Sequence, residues 1–185
     1  MPLPKDIINF HKEALKLLLD FYLKNGYNTV EKINSINGKS KLEDSLWKIP
    51  EAEGKHKQRY ISKAVKDVRD LLDEIGEKEN HKSIFTAKQL KNGINSSQIT
   101  MPSLVIDYYK TQLEHVVEKS ILIEMLIKNP KNLDKIIDTY NVGCTVFKNE
   151  HDLLPDKVFV KNDIWTRYKS AGIKVWDRKN NKWAY

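Results

Sequence analysis

Apolar positions recur along the chain at periods that change from window to window, and each period predicts a different element. Over residues 5–24 the series Ile7, Ile8, Phe10, Ala14, Leu15, Leu17, Leu18, Leu19, Phe21, Tyr22 and Leu23 has helical spacing and a wide stripe. It predicts a helix buried on its central turns, with Pro4 in the first turn and Gly26 as the stop. His11 lies among its polar positions and is expected to face solvent. Residues 27–54 are mixed: Asn34, Asn37, Gly38, Ser40, Pro50 and Gly54 mark loops or short helices, with Trp47 as an expected core anchor. Residues 55–76 predict another helix, because Ile61, Ala64, Val65, Val68, Leu71, Leu72 and Ile75 recur at three-and-four spacing before Gly76.

The pattern then loosens. Residues 77–103 hold Lys78, Lys82, Lys88, Lys91, Gly93 and the run Asn95-Ser96-Ser97-Gln98, which predicts a linker or long loop. Thr86-Ala87-Lys88-Gln89 has capping-box spacing, so a short helix is expected inside it. Residues 104–128 admit two readings. One is a single long helix; the other is a strand from Leu113 to Val117, then a helix capped by Ser120 that stops at Asn129-Pro130. Residues 132–139 predict a short helix, and the β-branched run Val142–Phe147 a strand. Ile164, Trp165, Tyr168 and Ala171 have the spacing of a short helix ending at Gly172, with Trp165 and Tyr168 in the core. Trp176 to Trp183 brackets a polar Asn turn and predicts a closing hairpin. These elements imply an α+β fold, predominantly helical with a small C-terminal β element. The expected organisation is a helical region over 1–95 and an α+β region over 96–185.

Composition adds a charge bias. The 185 residues are 40% hydrophobic and 31% charged, with a net charge of +7 and a pI near 9.2. Such a balance favours polyanionic partners, of which DNA is the first expectation. The basic candidates are Lys55, Lys57, Arg59 and Lys63 at the start of the 55–76 run, then Arg167, Arg178 and Lys179 in an aromatic-bearing tail. Cys144 is the only cysteine, which excludes an internal disulfide framework and multi-cysteine zinc sites. Its place in an apolar strand predicts a buried, inert thiol. No signal-peptide pattern opens the sequence and no apolar stretch is long enough to span a bilayer, so a cytoplasmic protein without a membrane partner is expected.

The candidate chemistry lies in Glu114, His115, Asn141 and His151. Phosphodiester hydrolysis needs a base near neutral pH, which a histidine supplies, and stabilisation of the leaving oxygen, which a divalent ion supplies. Leu113-Glu114-His115-Val116-Val117 resembles the start of an HNH (ββα-metal) nuclease motif. Asn141 with the following strand resembles its middle, and Asn149-Glu150-His151 its closing helix. The resemblance covers residues 110–155, with Glu118 where many members carry proline and a long interval between His115 and Asn141. It implies that Glu114 and His151 hold a divalent metal, Mg²⁺ by expectation. It also implies that His115 is the general base and that Asn141 positions it. The implied function is a metal-dependent DNA endonuclease of restriction or phage-related type. The alternatives are a nucleic-acid-binding module without catalysis, and an interaction protein or inhibitor subunit; a second copy of the chain is a further candidate partner. No Walker or Rossmann loop and no Gly-x-Ser-x-Gly elbow points elsewhere.

Overall fold

The computed structural model describes residues 4–54, 57–74, 111–156 and 158–185. The protein is α+β and dominated by helices, and its described residues form a small five-stranded sheet. It divides into two compact units, each drawn from three stretches of chain.

The helical unit comprises residues 1–54, 115–143 and 156–166. It contains α1 (Pro4–Lys24), α2 (Val30–Ser35), α3 (Gly38–Glu51), α5 (Lys119–Lys128) and α6 (Leu133–Tyr140). Each long helix buries one stripe: Leu15, Leu19 and Tyr22 on α1, and Leu42, Leu46 and Ile49 on α3. Leu122, Ile123 and Leu126 on α5 meet Leu133, Ile136 and Ile137 on α6 in the same core. The ends are set locally. Gly26, at φ +81°, closes α1, with the Tyr27 amide returning to the Tyr22 carbonyl at 2.9 Å. Thr29 caps α2 by accepting from the Lys32 amide. Asn129-Pro130 stops α5 as the sequence predicts.

The sheet unit comprises residues 55–114, 144–155 and 167–185. Its strands are β1 (Tyr60–Ser62), β2 (Thr111–His115), β3 (Gly143–Phe147), β4 (Val175–Asp177) and β5 (Lys182–Trp183), in the order β2-β3-β1-β4-β5. β1 runs parallel to β3 and antiparallel to β4, and β4 is antiparallel to β5. α4 (Lys63–Glu74) packs on β1 and β4, while α7 (Lys148–His151) and α8 (Thr166–Ser170) are short. All five residues of β3 are buried, as befits a strand with neighbours on both sides.

Several expectations are corrected. The helix expected from residue 55 begins only at Lys63, because Tyr60–Ser62 is a strand paired with β3 and β4. An aromatic and a β-branched residue between two distant partners gain more from the ladder than from a helical turn. In residues 27–54 the short-helix alternative holds, as α2 and α3. Of the two readings of 104–128, the described part follows strand then helix, although α5 starts at Lys119 and Glu118 precedes it without a side-chain cap. His11 is half-buried rather than solvent-facing, and its Nδ1 is enclosed without a hydrogen-bond partner. Burial, and then nearby Lys48, lowers its pKa. Trp47 is only half-buried, and neighbouring Leu46 is the core anchor. The β3 strand, the β4–β5 hairpin and the buried Trp165, Tyr168 and Cys144 stand where the sequence puts them. The expected linker over 77–103, its short helix and the division at 95/96 lie outside the described residues.

Candidate functional site

Glu114 and His151 come together in the sheet unit. β2 and β3 are neighbours, and α7 follows β3 directly, so the chain delivers His151 beside the end of β2. His151 Nδ1 donates to Glu114 Oε2 at 2.6 Å, and Arg167 Nη1 donates to Glu114 Oε1 at 2.8 Å. Arg167 Nε donates to the Pro155 carbonyl at 2.8 Å, which fixes the guanidinium from its other side. Side-chain exposure is 13% for Glu114, 6% for Arg167 and 38% for His151. The imidazole is thus the member of this trio that meets solvent. With Nδ1 donating, a neutral ring holds its lone pair on Nε2.

His115 and Asn141 come together in the helical unit. Asn141 Nδ2 donates to the Leu46 carbonyl at 3.0 Å, and His115 Nε2 lies 3.4 Å from the same oxygen. The His115 ring also lies against Trp47, with centroids 5.0 Å apart. His115 is 4% exposed and Asn141 is 6% exposed. Asn141 Oδ1 is buried with no hydrogen-bond partner. Glu114 and His115 are sequence neighbours on one strand, and strand alternation gives them different surroundings. The four expected residues therefore form two pairs, each with its own partners. Among the described residues, no group of three or more His, Cys, Asp and Glu side chains is arranged to hold a metal ion.

The basic candidates differ in what holds them. Arg59 donates from Nε and Nη2 to the Asp177 carboxylate at 3.0 and 2.6 Å. Lys63 pairs with Asp67 one helical turn on. Arg167 is committed to Glu114 and Pro155. Arg178 Nη1 donates to the Gln58 carbonyl at 3.2 Å, while Lys57 and Lys179 are exposed. Lys55 lies outside the described residues.

Sequence reasoning passed over Ser62, Glu150 and Asp177. Ser62 Oγ accepts from the Val65 amide at 3.2 Å, capping α4, and donates to Glu150 Oε2 at 2.6 Å. Glu150 Oε2 also accepts from the Phe147 amide at 2.9 Å. Burial raises the Glu150 pKa, partly offset by these two donors. The Arg59 guanidinium holds Asp177 at about 2, helped by the Asn180 and Lys179 amides. Burial pushes the Cys144 thiol up, consistent with an inert group. A serine three residues before Val65 in an apolar-periodic run was the one local signal for this set.

Neither a protein-family model, nor a curated protein, nor a solved structure matches the chain.

Proposed function

We propose that the chain is a metal-dependent DNA endonuclease of HNH type, hydrolysing phosphodiester bonds with a histidine as general base. The observation that carries this reading is the 2.6 Å hydrogen bond from His151 Nδ1 to Glu114 Oε2. Two neighbouring strands and the helix after the second supply that pair, with α5 and α6 inserted in the chain between the strands. Glu114 and His151 are the residues that would hold the metal. The carboxylate oxygen suits Mg²⁺, which takes few protein ligands and fills its shell with water and substrate phosphate, whereas an imidazole nitrogen would suit a softer divalent ion better. When bound, the ion neutralises charge growing on the leaving oxygen. Arg167 anchors Glu114 through the second carboxylate oxygen, so the carboxylate keeps its place as charge changes around it.

In this reading His115 takes the proton of the attacking water and Asn141 positions it. A specific observation favours a second assignment of the base. His115 is enclosed, whereas His151 meets solvent and is oriented by a carboxylate, so its Nε2 can accept that proton; in this second assignment His151 is not a metal ligand and Glu114 alone would hold the ion. Incubating supercoiled plasmid with Mg²⁺, with and without chelator, tests the function. Nicking is expected, abolished by chelator and reduced by about 100-fold or more in Glu114→Gln and His151→Ala. Absence of nicking by the wild type, or nicking by both variants equal to that of the wild type, overturns the reading. Folded His115→Asn separates the assignments: it loses activity if His115 is the base and keeps it if His151 is. A chain that binds DNA without cutting it is the non-catalytic module, and one that does neither is an interaction protein.

A further inference from the structure

The β4–β5 hairpin carries features the hydrolytic reading leaves unused. Its turn, residues 178–181, is held from inside. Asp177 Oδ1 accepts from the Lys179 amide at 3.0 Å and the Asn180 amide at 3.2 Å, and Oδ2 accepts from Asn180 Nδ2 at 2.9 Å. Arg59 clamps the same carboxylate with two hydrogen bonds. Asn181 takes the left-handed conformation, φ +48°, that returns the chain into β5. The result is a turn with its acid neutralised by Arg59 and with Lys179 and Lys182 exposed, beside an exposed Arg178 whose Nη1 donates to the Gln58 carbonyl.

The hairpin also presents an aromatic. Trp183, on the edge strand β5, is 40% exposed. Its ring is set edge-to-face against Trp176 at 4.9 Å between centroids, and Lys66 Nζ lies 5.0 Å from the Trp176 ring. The pair fixes the Trp183 plane while leaving part of it to solvent. A fixed, partly exposed ring with Lys66 against its aromatic partner, on a hairpin whose turn carries exposed cations, fits a ligand with negative charge along its length and flat apolar faces beside it.

We propose that this hairpin is a docking ribbon for single-stranded nucleic acid, with an unpaired base stacked on Trp183 and phosphates along Arg178, Lys179 and Lys182. Bases in a duplex are already stacked on one another and do not present a face, so single strands are preferred over duplex. The proposal stands whether or not the chain cleaves what it binds.

The test is a titration of the full chain with a short oligothymidylate in chelator and low salt, followed by tryptophan fluorescence. Chelation separates the outcome from that of the nicking experiment. Quenching on binding is expected, with weaker binding of a duplex. Trp183→Leu, checked by circular dichroism, should lose the quench and about 10-fold in affinity, and Trp183→Tyr should retain most of the affinity. Lys182→Glu, an exposed change that leaves the aromatic pair intact, should weaken binding several-fold and flatten its salt dependence. Heparin and polyglutamate carry charge without bases and should not quench. Absence of wild-type binding, wild-type quench and affinity in folded Trp183→Leu, or equal quenching by heparin or polyglutamate, overturns the proposal.

Discussion

A single hydroxyl, that of Ser62, serves two elements, capping α4 through the Val65 amide and donating to Glu150 at the end of β3 and start of α7. Its removal exposes an orphan helix donor and deprives a half-buried carboxylate of a partner. Ser62→Ala should therefore cost about 1–2 kcal/mol in urea denaturation at pH 7. Glu150 gives this site a pH dependence of known sign. Burial raises its folded pKa above the ordinary glutamate value, so the folded chain binds the proton more tightly than the unfolded one. Stability from this group is greatest at low pH and declines as pH rises from the ordinary value through the folded one. Glu150→Gln, which keeps an acceptor and never ionises, should be at least as stable as wild type at pH 7, with the advantage vanishing near pH 4. A loss at pH 7 that persists at pH 4 would contradict this. Gly38 is a second tight point. A Cβ there would lie 2.7 Å from Tyr22 Cζ and 2.9 Å from Ile33 Cγ2, in the helical core. Gly38→Ala should lower stability by a net of about 1–2 kcal/mol despite its gain in helix propensity, as urea denaturation can measure. Residue by residue, the cap spacing of Ser62 is a local signal that sequence reasoning passed over. No such signal marks Glu150 or Asp177, whose partners Ser62 and Arg59 are far away along the chain.

Elements were legible where their pattern is local. α1 with its glycine stop, the end of α5 at Asn129-Pro130, β3 and the Trp176–Trp183 hairpin all carry their own signals. β1 does not: its three residues continue the apolar spacing of the helix that follows, and only pairing with β3 and β4 makes them a strand. The candidate site divides in the same way. The adjacency of Glu114 and His115 is visible in sequence, but what each side chain meets depends on β2 being a strand and on where α7 and α3 lie. Asp177 tests how these short strands are secured. Its carboxyl lies at about 2, against an ordinary 3.8, because Arg59 and two turn amides favour the charged form. A depressed folded value adds stability above about pH 4 that is lost as pH falls through about 2. Asp177 is 3% exposed but Arg59 is 40% exposed, so solvent screens part of the attraction. Asp177→Asn should lose about 1–2 kcal/mol at pH 7, and the gap to wild type should close between pH 4 and pH 2 in denaturant titrations. A gap that stays constant over that range would assign the effect to packing rather than charge.

Across the whole molecule the net charge of +7 is unevenly shared. Among the described residues, the sheet unit carries more Lys and Arg than Asp and Glu, whereas the helical unit is close to balanced. Ion pairs occur in both units, as Asp138 with Lys12 and Asp20 with Lys24 in the helical one and Lys63 with Asp67 and Arg59 with Asp177 in the other, so the difference lies in the number of charges rather than in pairing. Composition read over the entire chain gives the sign of the bias but not its location, since each unit takes residues from three separated stretches. No helix among the described residues is long and apolar enough to cross a membrane. A polyanion held by charge releases counterions in proportion to the phosphates neutralised, so the salt dependence of binding reports which unit it touches. Charge reversal on the sheet unit, in Lys57→Glu with Lys179→Glu, should weaken DNA binding and reduce the slope of log K against log salt by about 1 for each phosphate no longer neutralised. The matching reversal on the helical unit, in Lys41→Glu with Lys131→Glu, changes net charge equally and should leave that slope unaltered. If the helical pair lowers the slope as much as the sheet pair, attraction is set by the charge of the whole chain, and the basic residues of the sheet unit hold no privileged place in binding.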